Sequence, residues 1–212
     1  MSIPGNPSTK PLYGKYSPAV LLLITLGATM MGFQFVGAFI GIAVAFPFYP
    51  GDLMSFLEAA MNPTGYEEMR VPLLIMQGVG SFTGFILVPW LLLKYLYSGS
   101  FAEFKVTRTD SSMILAAFFI TFFFMGVNAP FIEWNQNLKL PESLAEIEKA
   151  LRSMEDTLAV TSRFLTEFDG LGQLMLGIVV VAIIPGIGEE LVFRGLVQNH
   201  VFRLSKNIHV AI

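Results

Sequence analysis

Three ionisable residues stand close together in a stretch otherwise free of charge: Glu189, Glu190 and Arg194, within Pro185-Gly186-Ile187-Gly188-Glu189-Glu190-Leu191-Val192-Phe193-Arg194-Gly195. Charges at or inside a membrane are expensive unless they are paired or hydrated. On a helix Glu190 and Arg194 are four residues apart and can form an ion pair. Glu189 lies about 100° around the helix from Glu190. It is therefore the less neutralised carboxylate, free to face a cavity. A carboxylate partly withdrawn from water suits a general base acting on a water molecule. Alternatively, two adjacent carboxylates could contribute to a metal site together with histidines. The plainer reading is a helix cap that marks the membrane boundary. Pro185-Gly186-Ile187-Gly188 argues for more, because proline and small residues at membrane depth predict a broken or closely packed backbone.

The elements that must hold this trio are long and apolar. A helix needs about 20 residues to cross the hydrocarbon layer, and four runs meet that length, at about 18–46, 71–97, 111–134 and 171–188. A following helix is expected to about 204. The first run contains Gly37 and Gly41, a spacing that lets helices approach closely, and packing within the chain is favoured over dimerisation. The second ends in Trp90, Lys94, Tyr95 and Tyr97, suited to a membrane interface. The third is dense in phenylalanine: Phe118, Phe119, Phe122, Phe123 and Phe124 read as lipid-facing or packing bulk. Between the third and fourth runs, Pro141-Glu142-Ser143 reads as a helix start. Leu144, Ile147, Leu151, Met154 and Leu158 then recur at helical spacing. Opposite them lie Glu146, Glu148, Lys149, Arg152, Glu155 and Asp156, so this is an amphipathic helix on the membrane surface, too charged to span. The fold class expected is all-α, a polytopic transmembrane helical bundle with one such surface helix. Residues 1–17 form a polar tail and 18–212 the transmembrane domain, expected to be incomplete at the C-terminus because another apolar run begins at Ile208.

Composition agrees. Only 14% of the 212 residues are charged and 54% are hydrophobic, where a soluble domain carries about a quarter charged. A net charge of −3 excludes a basic nucleic-acid-binding character. The absence of cysteine removes disulfides and thiol chemistry. Lys10, Lys15, Lys94, Lys105, Arg108, Arg203 and Lys206 flank the spans on one side. By the positive-inside rule the N-terminus is cytoplasmic in an integral, multi-pass membrane protein.

The stretch from Pro185 to Gln198 resembles the first motif of the CPBP intramembrane proteases, the family of type II CAAX prenyl endopeptidases and Abi-like bacteriocin-immunity proteins. Its hallmark, E-E-x-x-x-R with Phe before the Arg and Gly after it, is met by Glu189, Glu190, Phe193, Arg194 and Gly195. The resemblance covers about fourteen residues. It implies an endopeptidase that cuts membrane-associated peptide or protein substrates among membrane lipids. Glu189 would activate water, Glu190 would orient the site and Arg194 would hold the geometry. A divalent metal such as zinc is compatible with it. The family's later F-x-x-x-H and H-x-x-x-[N/D] motifs have no match here, since Leu196 precedes His200 and Ser205 precedes His209 by four residues. Both histidines read as interfacial or loop residues. His200 lies eleven residues from Glu189, on nearly the same helix face but about 16 Å away. The alternatives are a non-catalytic immunity or anchoring protein of the same fold and a small transporter. The transporter reading lacks inverted repeats.

Overall fold

The computed structural model describes residues 16–97 and 110–212. The polar tail and the loop with Lys105 and Arg108 therefore fall outside the described residues, apart from their margins. Among the described residues every regular element is helical. The long helices are α1 (Pro18–Phe48), α3 (Glu67–Leu96), α4 (Ser111–Asn137) and α6 (Leu171–Ser205). Each has at least 27 residues, about 40 Å at 1.5 Å per residue, against a hydrocarbon layer of about 30 Å. Shorter helices are α2 (Leu53–Met61), α5 (Ala145–Thr166) and α7 (Ile208–Ala211). The protein is an all-α, polytopic integral membrane protein. It divides into two compact units, residues 1–104 with 160–212, and residues 105–159.

In the first unit, α1, α3 and α6 pack through glycine. A methyl group placed on Gly37 would lie 2.6 Å from Gly80 Cα, and one on Gly84 would lie 2.6 Å from Phe33 Cβ. Backbone therefore meets backbone between α1 and α3, and the Gly37/Gly41 spacing serves packing within the chain. α6 joins in the same way: Gly78 faces Val180, and Gly188 faces Phe85. Lipid tails are as apolar as leucine, so close van der Waals contact is what holds such helices together. Two buried clusters lie toward the ends of the α1–α3 pair. Leu21, Leu93, Tyr97 and Leu196 link all three helices at one end. Ala45, Phe56, Ala59 and Met69 close the other, where α2 is capped by Asp52 accepting from the Ser55 N–H at 2.8 Å.

Long helices carrying proline need local relief, because proline offers no N–H to the carbonyl four residues earlier. α3 switches to π register over Thr83–Leu87, just before Pro89, and α6 does so over Ile178–Ile183, just before Pro185. The Pro-Gly-Ile-Gly segment is therefore helical, and α6 continues through it without a break.

Arg70, at the start of α3, has its side chain nine-tenths buried beneath the residues that lead into α6. Its guanidinium pairs with Asp169 and lies 5.2 Å from the Phe164 ring centroid, while its Nε is buried without a partner. Asp169 itself is 75% exposed, so the two partners should tolerate loss differently. Asp169→Ala strands a buried cation and is expected to cost about 1–3 kcal/mol. Arg70→Met removes the charge and keeps the bulk, and should cost less. Thermal unfolding in detergent checks the order, and a larger loss for Arg70→Met would contradict it.

In the second unit, α4 is capped by Asp110 and carries the five phenylalanines, all of them exposed. A clasp ties its C-terminal end to the start of α5. Arg152 donates to the Gln136 carbonyl at 3.0 Å, the Leu138 carbonyl at 2.6 Å and Glu148 Oε1 at 2.8 Å. Glu148 Oε2 in turn accepts from the Leu140 N–H at 2.8 Å. Carbonyls left open at a helix end are thereby satisfied. These two charged residues, placed by the sequence on a solvated face, are engaged in structure. The Leu140 N–H first, and then the Arg152 guanidinium, hold the Glu148 carboxyl below the ordinary value of 4.5. A lowered folded-state pKa stabilises above the free value and is lost as pH falls through the lowered one. The amide resonance of Leu140 should accordingly titrate in one step below pH 4.5; a step at or above that value would contradict the clasp.

Candidate functional site

Glu189, Glu190 and Arg194 lie near the middle of the 35-residue helix α6. Gly188 fixes their direction. Because Gly188 is buried against Phe85 of α3, the next two residues turn outward, and Glu189 and Glu190 are both exposed. The expected ion pair is present: Arg194 Nη1 meets Glu190 Oε1 across one turn, with both side chains more than half exposed. Glu189 has neither an ion pair nor a hydrogen bond among the described residues. The contrast expected between the two carboxylates, one neutralised and one not, is thus seen in the geometry.

The backbone that carries the trio is itself unusual. Residues Glu190–Val197 form a stretch of π register, with buried Val192, Gly195 and Leu196 on the packed side. Such turns take up about one extra residue each and are common where a helix carries a functional group. Beside them lies a groove of about 370 Å³, lined by Glu190, Phe193, Arg194, Val197, Gln198 and the α7 residues Val210 and Ala211, among others. It lies beside the Glu190–Arg194 pair; Glu189 is exposed and is not among its lining residues, so the cavity the sequence led us to expect at Glu189 is not seen.

His200 has a burial that the sequence did not reveal. It lies in α6, not in a loop, and is fully buried. Its Nε2 lies 2.8 Å from the Tyr97 hydroxyl, which lies 2.9 Å from Thr25 Oγ1. Thr25 spends its proton on the Leu21 carbonyl at 2.8 Å. The chain of bonds therefore runs from imidazole N–H to phenol to threonine, and it joins α6, α3 and α1. Nδ1 is left without a partner among the described residues. A histidine committed in this way is no ligand for a metal at Glu189. Among the described residues no group of three or more histidine, aspartate or glutamate side chains is arranged to hold a metal ion. They do not by themselves compose a zinc site. His209 is exposed, near the α7 N-cap at Asn207.

The fold thus defines an integral membrane protein of helical-bundle class with two carboxylates and a guanidinium on the outer face of its last long helix. That helix is also where similarity to known proteins falls. Residues 171–212 match the family described as type II CAAX prenyl endopeptidase Rce1-like. The matched segment contains all three candidate residues and the groove beside them. No curated protein and no solved structure matches the chain.

Proposed function

We propose that this protein is a membrane-embedded endopeptidase in which Glu189 activates the attacking water. The observation that carries the reading is the division of labour on α6, inside the segment similar to a prenyl endopeptidase family: Glu190 is paired with Arg194, and Glu189 is not. An unpaired carboxylate can accept a proton from water while the water oxygen bonds to the scissile carbonyl carbon. The carbon–nitrogen bond then breaks, and the same proton passes to the leaving amine. Glu190 and Arg194 hold the π-register turn that presents Glu189. The substrate class is a peptide anchored at the membrane, with a prenylated C-terminal peptide the first choice from the family description. The N-terminus is cytoplasmic in this reading.

The test is release of the terminal peptide from a prenylated substrate by the protein expressed from its complete reading frame, in proteoliposomes. Cleavage that depends on the prenyl group supports both the activity and the substrate class. Equal cleavage of the unprenylated peptide would overturn the substrate class. No cleavage of either would favour the non-catalytic anchoring alternative, in which the Glu190–Arg194 pair serves only the helix.

A further inference from the structure

A second groove lies along the seam of α1 and α3 within the first unit. Its volume is about 590 Å³, and its walls include Ala28, Gly32 and Val36 from α1 and Val88, Leu92 and Tyr95 from α3. Gly32 is what keeps its floor low. The residue is buried, and a methyl group there would lie 2.5 Å from Val88 Cγ2. The groove is almost wholly apolar along its length, but its end is not. Tyr95 is exposed, and the Lys94 ammonium lies 5.2 Å from the Tyr95 ring centroid and 4.9 Å from that of Trp90. No carboxylate among the described residues pairs with Lys94. The Tyr95 end of the apolar slot thus lies beside a cation that stands over two aromatic rings and pairs with no carboxylate among the described residues.

We infer that this groove is a site for an anionic glycerophospholipid, with one acyl chain along Gly32, Val36 and Val88 and the phosphate at Lys94. Three observations select that occupant. The slot runs along the α1–α3 seam, as an acyl chain lies, and has few polar atoms to satisfy a peptide backbone, which must be hydrogen-bonded in the membrane. The Lys94 ammonium beside the Tyr95 end of the slot pairs with no carboxylate among the described residues, and it favours an anion there. The rings of Trp90 and Tyr95 are already occupied by Lys94, so they are not free to receive the quaternary ammonium of a choline headgroup, which would also bring a second cation beside the first. The inference concerns α1 and α3 alone and does not depend on the hydrolytic reading of α6.

Native mass spectrometry tests it on protein purified from mixed micelles containing equal phosphatidylglycerol and phosphatidylcholine. Wild type is expected to retain phosphatidylglycerol about five-fold over phosphatidylcholine, the preference one cation near a membrane surface confers. Lys94→Gln changes an exposed side chain and should fold normally; it should abolish the preference without abolishing total lipid binding. Lys94→Arg should keep the preference. Ala28→Phe, which fills the slot from one wall, should lower retention of both lipids, with circular dichroism confirming unchanged helicity. Equal retention by wild type, or a preference unaltered by Lys94→Gln, overturns the assignment. A dimer that excludes lipid would also overturn it, since a second copy would then occupy the groove.

Discussion

Glu189→Gln is expected to lower peptide hydrolysis by about 10²–10⁴-fold, the range a positioned general base contributes, while membrane insertion and thermal stability stay at wild-type values. The substitution keeps the size of the side chain and removes only its capacity to take a proton. Stability should hold because Glu189 has no partner among the described residues to lose. Glu190→Gln is the informative companion. It breaks the pair with Arg194, so it should alter the π-register turn as well as the rate, and the amide exchange of residues 190–197 should quicken in that variant but not in Glu189→Gln. Wild-type hydrolysis by Glu189→Gln would remove this residue from the role of base. Equal amide exchange in the two variants would remove the positioning role of Glu190 and Arg194.

Gly37→Leu should produce the largest loss of stability, about 3 kcal/mol or more, at the upper end of what overpacking costs. The reason is geometric. At most positions a new side chain meets the tip of another side chain, which can rotate away. At Gly37 the first added carbon meets Gly80 Cα at 2.6 Å and a backbone oxygen of Gly80 at 3.2 Å. Neither can move without shifting α3 bodily, and α3 is the helix against which Gly188 seats the carboxylates. Gly27→Leu provides the control, since nothing lies within 4 Å of a methyl group at that position. Unfolding in sodium dodecyl sulfate should separate the two variants clearly. A Gly27 variant as unstable as the Gly37 variant would show that helix propensity or insertion, not close packing, is responsible.

Features that depend on local order were legible in the chain. Hydropathy revealed the four long helices, since a run of about 20 uncharged residues has few other destinations. The Glu190–Arg194 pair was legible because residues four apart on a helix are neighbours whatever surrounds them. Tertiary partners were not legible. Gly37 and Gly41 announced a close contact without naming Gly80 or Met76 as its other side. Arg70 and Asp169 are 99 residues apart; the one signal available was that Arg70 is the sole basic residue of the first connection. The burial of His200 was illegible for a specific reason. Counting 100° per residue puts it on the face of Glu189, yet Glu189 is exposed and His200 fully buried. The π-register residues Glu190–Val197 lie between them and shift the helical phase. At Pro185-Gly186-Ile187-Gly188 the chain takes the closely packed of the two arrangements expected, because a π turn over Ile178–Ile183 relieves the proline without ending the helix and Gly188 packs on Phe85.

That shift in phase makes α6 a helix whose length in residues matters as much as its composition. A π turn has a residue to spare, and an α turn has none. Removing one residue between Glu190 and Val197 lets the turn relax to α-register, and the loss is taken up there. Removing one from the α-register residues Ile184–Glu189 instead rotates one part of the helix against the other by about 100°. Gly188 and His200 could then no longer both face their partners, even though no side chain named here had been exchanged. Single-codon deletions should therefore be tolerated better within the π-register stretch than beside it.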